Sequence, residues 1–545
     1  MKRDWKAIAG MFVGIIIAGG AFITQQFNTE NPAAWGMKSY ILFFSGILIF
    51  VFSLLYQEDN FLGSLVNTKL GRIYFLSAML GGWMVLIYIW VISIGTWTTW
   101  PVTTDYYNLL ANAFSHGQLS LETKPDPALL ALDDLYNPDN REGIPVLWDL
   151  AVYKGEYYLY WGPVPALLLA IVKPFYSDPV ADNILTFIFM AGLLFFQIAL
   201  ILELWKSYFQ ETPGWVILLS ISFTGLINPI LYMLLEPRIY EAAVVSGQMF
   251  FIGGLFWLFT AFNKPSMTKL ALAGIFFTLA VGSRTTLLIP IAFLVCVALI
   301  WAIKSHPAKA ARFIMALVLP LALGAVSYAW YNYQRFDSLT EFGLGYQLSQ
   351  TDMYETLDET FSFAYMPPNL FKLLINPFEY NKSFPFIKAT PWSGPVWFEN
   401  YSPKIYDYFA EDITGILISS PFLIFAFLAA TCKQKNIRWI TASLAGSSLL
   451  IFFTLLTFFY LTMRYLLDLV PALSLLALIG FWQGIHLLQT RRIAKYLFAI
   501  TGSGLWAYTI VVSFILCYSS NLHRIRIYNL ELIQNITWTF THIFK

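Results

Sequence analysis

The feature that most constrains this chain is a repeated run of about 18 or more apolar residues. A helix rising 1.5 Å per residue needs about 20 such residues to cross the hydrocarbon of a bilayer. Composition agrees, with 58% hydrophobic and only 12% charged residues in 545, where soluble domains carry about a quarter charged. The reading is an all-α polytopic membrane protein with about thirteen transmembrane helices. They are placed near 7–24, 39–56, 73–96, 183–205, 214–234, 242–262, 270–283, 285–303, 313–331, 413–431, 439–460, 466–487 and 496–517. The first run, Ile8 to Thr24, has no convincing small-residue cleavage site before "ITQQFNTE", so it counts as a span rather than a signal peptide.

Charge gives the orientation. With the N-terminus cytoplasmic, the short inner loops collect 17 of the 33 basic residues, from Lys2, Arg3 and Lys6 to Arg491, Arg492 and Lys495. The acids in those loops are Asp4, Glu58, Asp59 and Glu211. This is the asymmetry expected of cytoplasmic loops, and it places the protein in the plasma (inner) membrane. It also decides the run Trp161 to Phe175, "WGPVPALLLAIVKPF". Counting that run as a span would turn most later basic loops outward. It is short and carries Pro163, Pro165 and Pro174, so it reads as a helix lying in, or re-entering from, the outer interface.

Two long segments then face outward, 98–182 and 332–411. They hold most of the acids and are rich in Tyr, Trp, Pro and Asp, unlike a disordered linker. Loops of this length are usually functional. Their aromatics suit either an interfacial belt or a surface for sugars or lipid. The organisation expected is two N-terminal spans (1–72), a transmembrane core with both outer loops (73–487), and a last span with an outward amphipathic tail (488–545). Cys296, Cys432 and Cys517 imply no disulfide framework. A net charge of +1 gives no nucleic-acid signal, and no His/Cys cluster has zinc-ligand spacing.

The candidates for chemistry sit at outward ends of spans. In "TTWPVTTDYYNLLANAFSHGQ" (Thr98 to Gln118), Asp105 follows a span directly. Tyr106, Leu110, Ala113, Phe114 and Gly117 then share one side of a helix, which Gly117 closes. A helix N-terminus favours the ionised carboxylate. Asp105 is therefore either a charged functional acid or an N-cap, for which Asp is a preferred residue. Three arginines mark other outward turns: Arg238 in "EPRIYEAAVVSGQ" between Glu236 and Glu241, Arg284 in "GSRTTLLIP", and Arg464 in "FFYLTMRYLLDLVPAL". Arginine near a membrane is costly unless paired or solvated. The three could form a phosphate site suited to the guanidinium fork; the structural alternative is snorkelling or a local pair such as Arg464 with Asp468.

Together with "YKGEYYLYWGPVPALLL" and "MRYLLDLVPALSLLALIG", these elements resemble the GT-C superfamily of integral membrane glycosyltransferases, which includes protein O-mannosyltransferases and the aminoarabinose transferases of lipid A. The resemblance runs from about Ile73 to Gly480 and lies in order and sidedness rather than in one motif. It implies a GT-C-like fold, a donor sugar carried on a polyprenyl phosphate, and a glycan, lipid or protein acceptor. It also implies that the first outer-loop acid, Asp105, is the catalytic base. Many members pair that acid with a second one, but here Tyr106 follows. A divalent metal would need other ligands such as Glu241 or Asp134, so metal dependence stays open. Many relatives also carry a Lys-Pro-Pro element, where this chain has "WGPVP" with Lys154 upstream. The donor phosphate or sugar is thus assigned to Arg284, Arg464, Arg238, Glu241, Lys154 and Tyr106 as a group. The chemistry is self-consistent. A phosphate leaving group needs no general acid, so one base and cationic stabilisation suffice for an inverting displacement, in contrast to the carboxylate pair of a glycosidase. Two other classes remain: a lipid or saccharide flippase, and an envelope polysaccharide polymerase or ligase of another fold.

Overall fold

The computed structural model describes residues 5–26, 37–55, 63, 68–390 and 409–543. Lys2, Arg3, Asp4, Glu58 and Asp59, and positions 391–408 of the second outer segment, lie outside the described residues. The chain divides into two units, Met1–Leu80 and Gly81–Lys545.

In the first unit the helices Trp5–Gln26 and Met37–Leu55 pack along each other. Ala21 and Ser39 are buried, and the rings of Phe22 and Phe43 meet edge to face at 6.0 Å. Both helices are apolar nearly all round, as a membrane span is.

The second unit is a helical bundle with long connections gathered at one end. Eight segments of the described chain are long and apolar enough to cross a membrane: Lys69–Ile92, Asp182–Tyr208, Ile239–Asn263, Thr285–Ser305, Pro307–Phe336, Lys435–Thr457, Met463–Leu487 and Arg492–Ser520. This is a helical integral membrane protein. The runs near 7–24, 39–56, 214–234, 270–283 and 413–431 appear as shorter apolar helical segments. The run at 161–175 forms the helix Val164–Val172, whose nine residues span about 14 Å and cannot cross.

Packing explains which helices carry the site. Asp182–Tyr208 packs on Ile239–Asn263, which packs on Met267–Ser283; Lys435–Thr457 packs on Leu466–Leu487. The spans Ile239–Asn263 and Met463–Leu487 are the most interior, each more than four-fifths buried. Ile239–Asn263 offers Ala242, Ala243, Ser246, Gly247, Gly253 and Gly254, the small residues that let helices approach in a membrane. Charge at the start of either interior helix is therefore held deep within protein.

Small β elements tie the loops down. Ala151–Tyr153 and Glu156–Tyr158 form an antiparallel hairpin. Its two turn residues, Lys154 and Gly155, have φ of 50° and 78°, the left-handed pair of a type I′ turn. Phe409–Ala410 pairs in parallel with Tyr460–Leu461, bringing the end of the second outer segment to the start of an interior helix. The C-terminal helices Leu522–Tyr528 and Leu530–Ile543 do more than lie along an interface. Arg524 is buried and donates to Thr103 Oγ1 at 2.6 Å and Pro101 O at 3.1 Å, and Asn529 Nδ2 donates to Ile94 O at 2.9 Å.

The charge asymmetry predicts a sidedness that labelling can check. With Cys296, Cys432 and Cys517 replaced by serine, cysteines at Glu142 and Asn381 should react with an impermeant reagent on intact cells, and one at Lys435 should not. Labelling at position 435 would reverse the orientation.

Candidate active site

The segment after the first core span is built by residues from two other helices. Tyr106–Ser115 is a helix, and Asp105 occupies its N-cap position. The Asp105 carboxyl makes no capping bond. The cap comes instead from Asp182, the first residue of a span, which accepts from Tyr106 N at 3.0 Å, Tyr107 N at 3.2 Å and Thr104 Oγ1 at 2.6 Å. The helix closes as a Schellman motif. Gln118 N bonds Ala113 O at 2.9 Å and Gly117 N bonds Phe114 O at 3.0 Å, with Gly117 at φ +74°, where a Cβ would be strained. Its buried residues include Tyr107, Leu110, Ala111 and Ala113, so the buried stripe begins one residue later than the sequence pattern suggested. That rotation leaves Tyr106 facing a cavity. Helix Val164–Val172 packs against it, and Lys173 Nζ donates to Asn108 Oδ1 at 2.7 Å.

The cavity has a volume of about 1090 Å³, and Arg238, Arg284, Arg464 and Tyr106 all line it. Residues as far apart in sequence as Tyr106 and Arg464 thus meet in one site. Gly162 shares the wall. A Cβ on it would stand 2.1 Å from Gly282 O, so glycine is needed for the two backbones to cross beside Arg284.

Each arginine already has a carboxylate partner. Arg284 Nε donates to Asp468 Oδ1 at 2.9 Å and Oδ2 at 2.7 Å, with a further 2.7 Å contact from its Nη2. Arg464 donates to both oxygens of Glu411 at 3.3 Å and lies 3.9 Å from Glu241 Oε1. Arg238 bonds Glu236 Oε1 at 2.5 Å, and Arg524 approaches the same oxygen at 3.4 Å. The local pair of Arg464 with Asp468 is therefore corrected: Asp468 belongs to Arg284. An α-helix would bring residues four apart onto one face. Here Met463–Tyr465 is a 3₁₀ turn, which aims Arg464 back at the second outer segment. Tyr465 lies between the two guanidiniums, with their centres 5.1 Å (Arg284) and 5.9 Å (Arg464) from its ring. Burial opposes the charge of Glu411, yet Arg464 together with the Thr462 and Tyr460 hydroxyls holds its carboxyl below the usual range.

Three expected residues lie elsewhere: Lys154, Glu241 and Asp105. Lys154 sits exposed in its hairpin turn, ion-paired with Asp337, and does not line the cavity. Glu241 is buried behind the wall. It accepts from Arg238 N at 2.9 Å and faces Arg464. Asp105 is half-buried and is not among the lining residues, and its side chain has no hydrogen bond or ion pair among the described residues. Asp134 is spent on its own turn, accepting from Tyr136 N at 2.9 Å. Among the described residues no group of three or more His, Cys, Asp or Glu side chains could hold a metal ion.

Sequence reasoning missed Asp149. It lines the cavity, accepts from the Tyr240 hydroxyl and from Gln347 Nε2 at 2.8 Å, and has φ +59°. The available signal was a lone acid inside an aromatic-apolar run, "VLWDLAVY". Burial lifts its carboxyl above the usual aspartate range, although Gln347, Arg464, Arg141 and Arg238 pull it back. Tyr106, half-buried and near Asp149, Asp182 and Asp105, has its phenol pushed up to about 12 by desolvation and those acids, so it stays a neutral hydroxyl.

Part of the lining is apolar. Leu287 from one span, Ile451 and Leu455 from another, and Leu357 and Phe361 from the second outer segment complete the cavity. One cavity therefore combines charged and hydroxyl groups with apolar residues from membrane-spanning helices.

No family model matches the chain, and no curated protein matches it. Among solved structures it is similar to the Archaeoglobus fulgidus oligosaccharyltransferase in its apo form, with 12% identity and a TM-score of 0.41. It is also similar to AglB from Archaeoglobus fulgidus in complex with an inhibitory peptide and a dolichol-phosphate, with 12% identity and a TM-score of 0.43. Each match covers 82% of this chain and 56% of the other, so the chain spans little more than half the length of those structures.

Proposed function

We propose that the protein is a membrane glycosyltransferase of the GT-C kind, moving a sugar from a polyprenyl phosphate to an acceptor hydroxyl with inversion. The observation that carries this is the cavity itself. Its lining combines the apolar Leu287, Ile451 and Leu455, which suit a lipid tail, with Arg238, Arg284 and Arg464, which suit a phosphate. The arginines are paired with carboxylates, so donor binding exchanges part of a carboxylate contact for the phosphate fork. Departure of the phosphate builds negative charge where these guanidiniums already stand. The sugar would then lie toward Tyr160, Trp161 and Tyr240. The site end faces the extracytoplasmic side in this reading, and residues 1–72 are an addition to the catalytic core.

Incubating the purified protein with a panel of polyprenyl-phosphate sugars tests the reading. Binding or turnover of at least one, and not of the same sugar on a nucleotide, is the expected result; no interaction with any of them would overturn it. The resemblance nominates Asp105 as base. Because its carboxyl makes no capping bond, Asp105→Asn should cost ~1 kcal/mol of stability or less. If Asp105 takes the proton, turnover falls by about 10²- to 10⁴-fold with donor binding kept. A folded variant with near-parent turnover removes the role from this residue.

A further inference from the structure

The cavity holds one carboxylate to which the proposed function gives no role. We infer that Asp149, rather than Asp105, takes the proton from the acceptor hydroxyl. The inference rests on the glycosyl-transfer reading and names the base within it.

Position is the first reason. Asp149 stands in the cavity wall with Tyr106, Tyr160, Trp161 and Arg464, and Asp105 does not. Bonding is the second. The other lining carboxylates are committed: Asp468 to Arg284 at 2.7 Å, and Glu341 to Gly343 N of its own loop at 2.5 Å. Asp149 is held by neutral donors only, the Tyr240 hydroxyl and Gln347 Nε2. A carboxylate in a contact ion pair is a weakened base, because protonation forfeits the pair. One fixed by neutral donors is oriented and keeps lone pairs free. The backbone is the third. Asp149 lies at φ +59°, a conformation uncommon outside glycine although Asp tolerates it better than most. Asp149 N, bonded to Leu348 O at 3.0 Å, helps hold it there. Strain maintained by surrounding contacts clusters at functional sites.

The step balances without a further reactant. The acceptor oxygen forms a bond to the anomeric carbon as its proton passes to an Asp149 oxygen. The bond from that carbon to the phosphate oxygen breaks, and its electron pair leaves with the polyprenyl phosphate. Asp149 then returns the proton to water. The charged and titratable groups around it are Arg464 at the start of an interior helix, Arg238 at the turn before the other, Arg141 in the outer loop, and the phenols of Tyr106, Tyr160 and Tyr240. Burial outweighs the three guanidiniums and leaves the carboxyl above its ordinary range, which moves a base toward the working pH.

The test uses the full chain and whichever polyprenyl-phosphate sugar it turns over. Asp149→Asn should lower turnover by about 10²- to 10⁴-fold with donor affinity kept, and Asp105→Asn should lower it far less. Tyr240→Phe removes a hydrogen bond that favours the carboxylate. The acid limb of its kcat–pH profile should therefore shift to higher pH, a readout that survives even if Asp149→Asn fails to fold. Asp149→Asn with near-parent turnover, loss of donor binding in step with turnover, or an unmoved limb in Tyr240→Phe would each overturn the inference. Turnover by the parent alongside any of these leaves the glycosyl-transfer reading standing. A parent that turns over no lipid-phosphate sugar removes both.

Discussion

Arg464→Ala is expected to destabilise the protein by about 3–5 kcal/mol and to abolish donor binding. Its guanidinium joins two parts of the chain: Glu411 from the second outer segment at 3.3 Å, and an interior helix through Glu241 at 3.9 Å and the ring of Tyr240 at 4.7 Å. Removing it leaves Glu241, which is only 5% exposed, as a buried acid without its cation. A lone buried charge of this kind costs far more than the pair was worth. Arg464→Lys separates the two roles. The ammonium restores charge and much of the stability, but it cannot offer the parallel donors of the fork, so donor affinity should remain low. Thermal unfolding in detergent and titration with the polyprenyl-phosphate sugar check the two arms. An alanine variant with parent-like unfolding would mean that water already screens the pair. A lysine variant with parent-like affinity would place the phosphate elsewhere.

Asp182→Ala should loosen the segment 98–118 while the spans stay assembled. The carboxylate accepts from Thr104 Oγ1, Tyr106 N and Tyr107 N and is fully buried. Each donor left without an acceptor costs about 1–3 kcal/mol where water cannot replace it. Asp182→Asn keeps the volume but turns an NH₂ toward a donor, so it should recover only part of the loss. The loss spreads further, because Thr104 Oγ1 also accepts from Ile239 N at 2.8 Å, tying this segment to the start of an interior helix. Limited proteolysis should cut near Trp97 to Gln118 in the alanine variant well below its global unfolding temperature, and turnover should fall along with that protection. A variant with the parent's cleavage pattern would show that the loop helix is held by its apolar face alone.

Much of the architecture was legible because lipid leaves the backbone few choices. A run such as Leu466–Leu487 must be helical, since hydrocarbon offers no partner for open amide groups. That the run at 161–175 is no span was legible too: its helix, Val164–Val172, is too short to cross. The Gly117 helix stop was also readable, because a left-handed C-terminal residue has one preferred side chain, none. The face of Tyr106–Ser115 was not legible: the sequence pattern put Tyr106 in the apolar stripe, whereas the stripe buried in the fold begins at Tyr107 and leaves Tyr106 on the cavity.

The site was legible by type rather than by partner. Arg238, Arg284 and Arg464 stand out in sequence because a guanidinium beside apolar runs is costly alone, and all three line one cavity. Their partners were hidden. Glu411 reaches Arg464 through the strand pair Phe409–Ala410 with Tyr460–Leu461, and Asp468 turns to Arg284 across 184 residues. The cap expected of Asp105 comes from Asp182, since the acid next to a helix start in sequence was not the one that bonds it in space. By itself, then, the sequence determined the helical membrane class, the position of the long apolar helices and the identity of the costly charges, because each follows from local transfer of residues between water and lipid. Only the tertiary structure decided which carboxylate meets which arginine and which aspartate enters the cavity, because a contact between side chains depends on the approach of helices that no local free energy specifies.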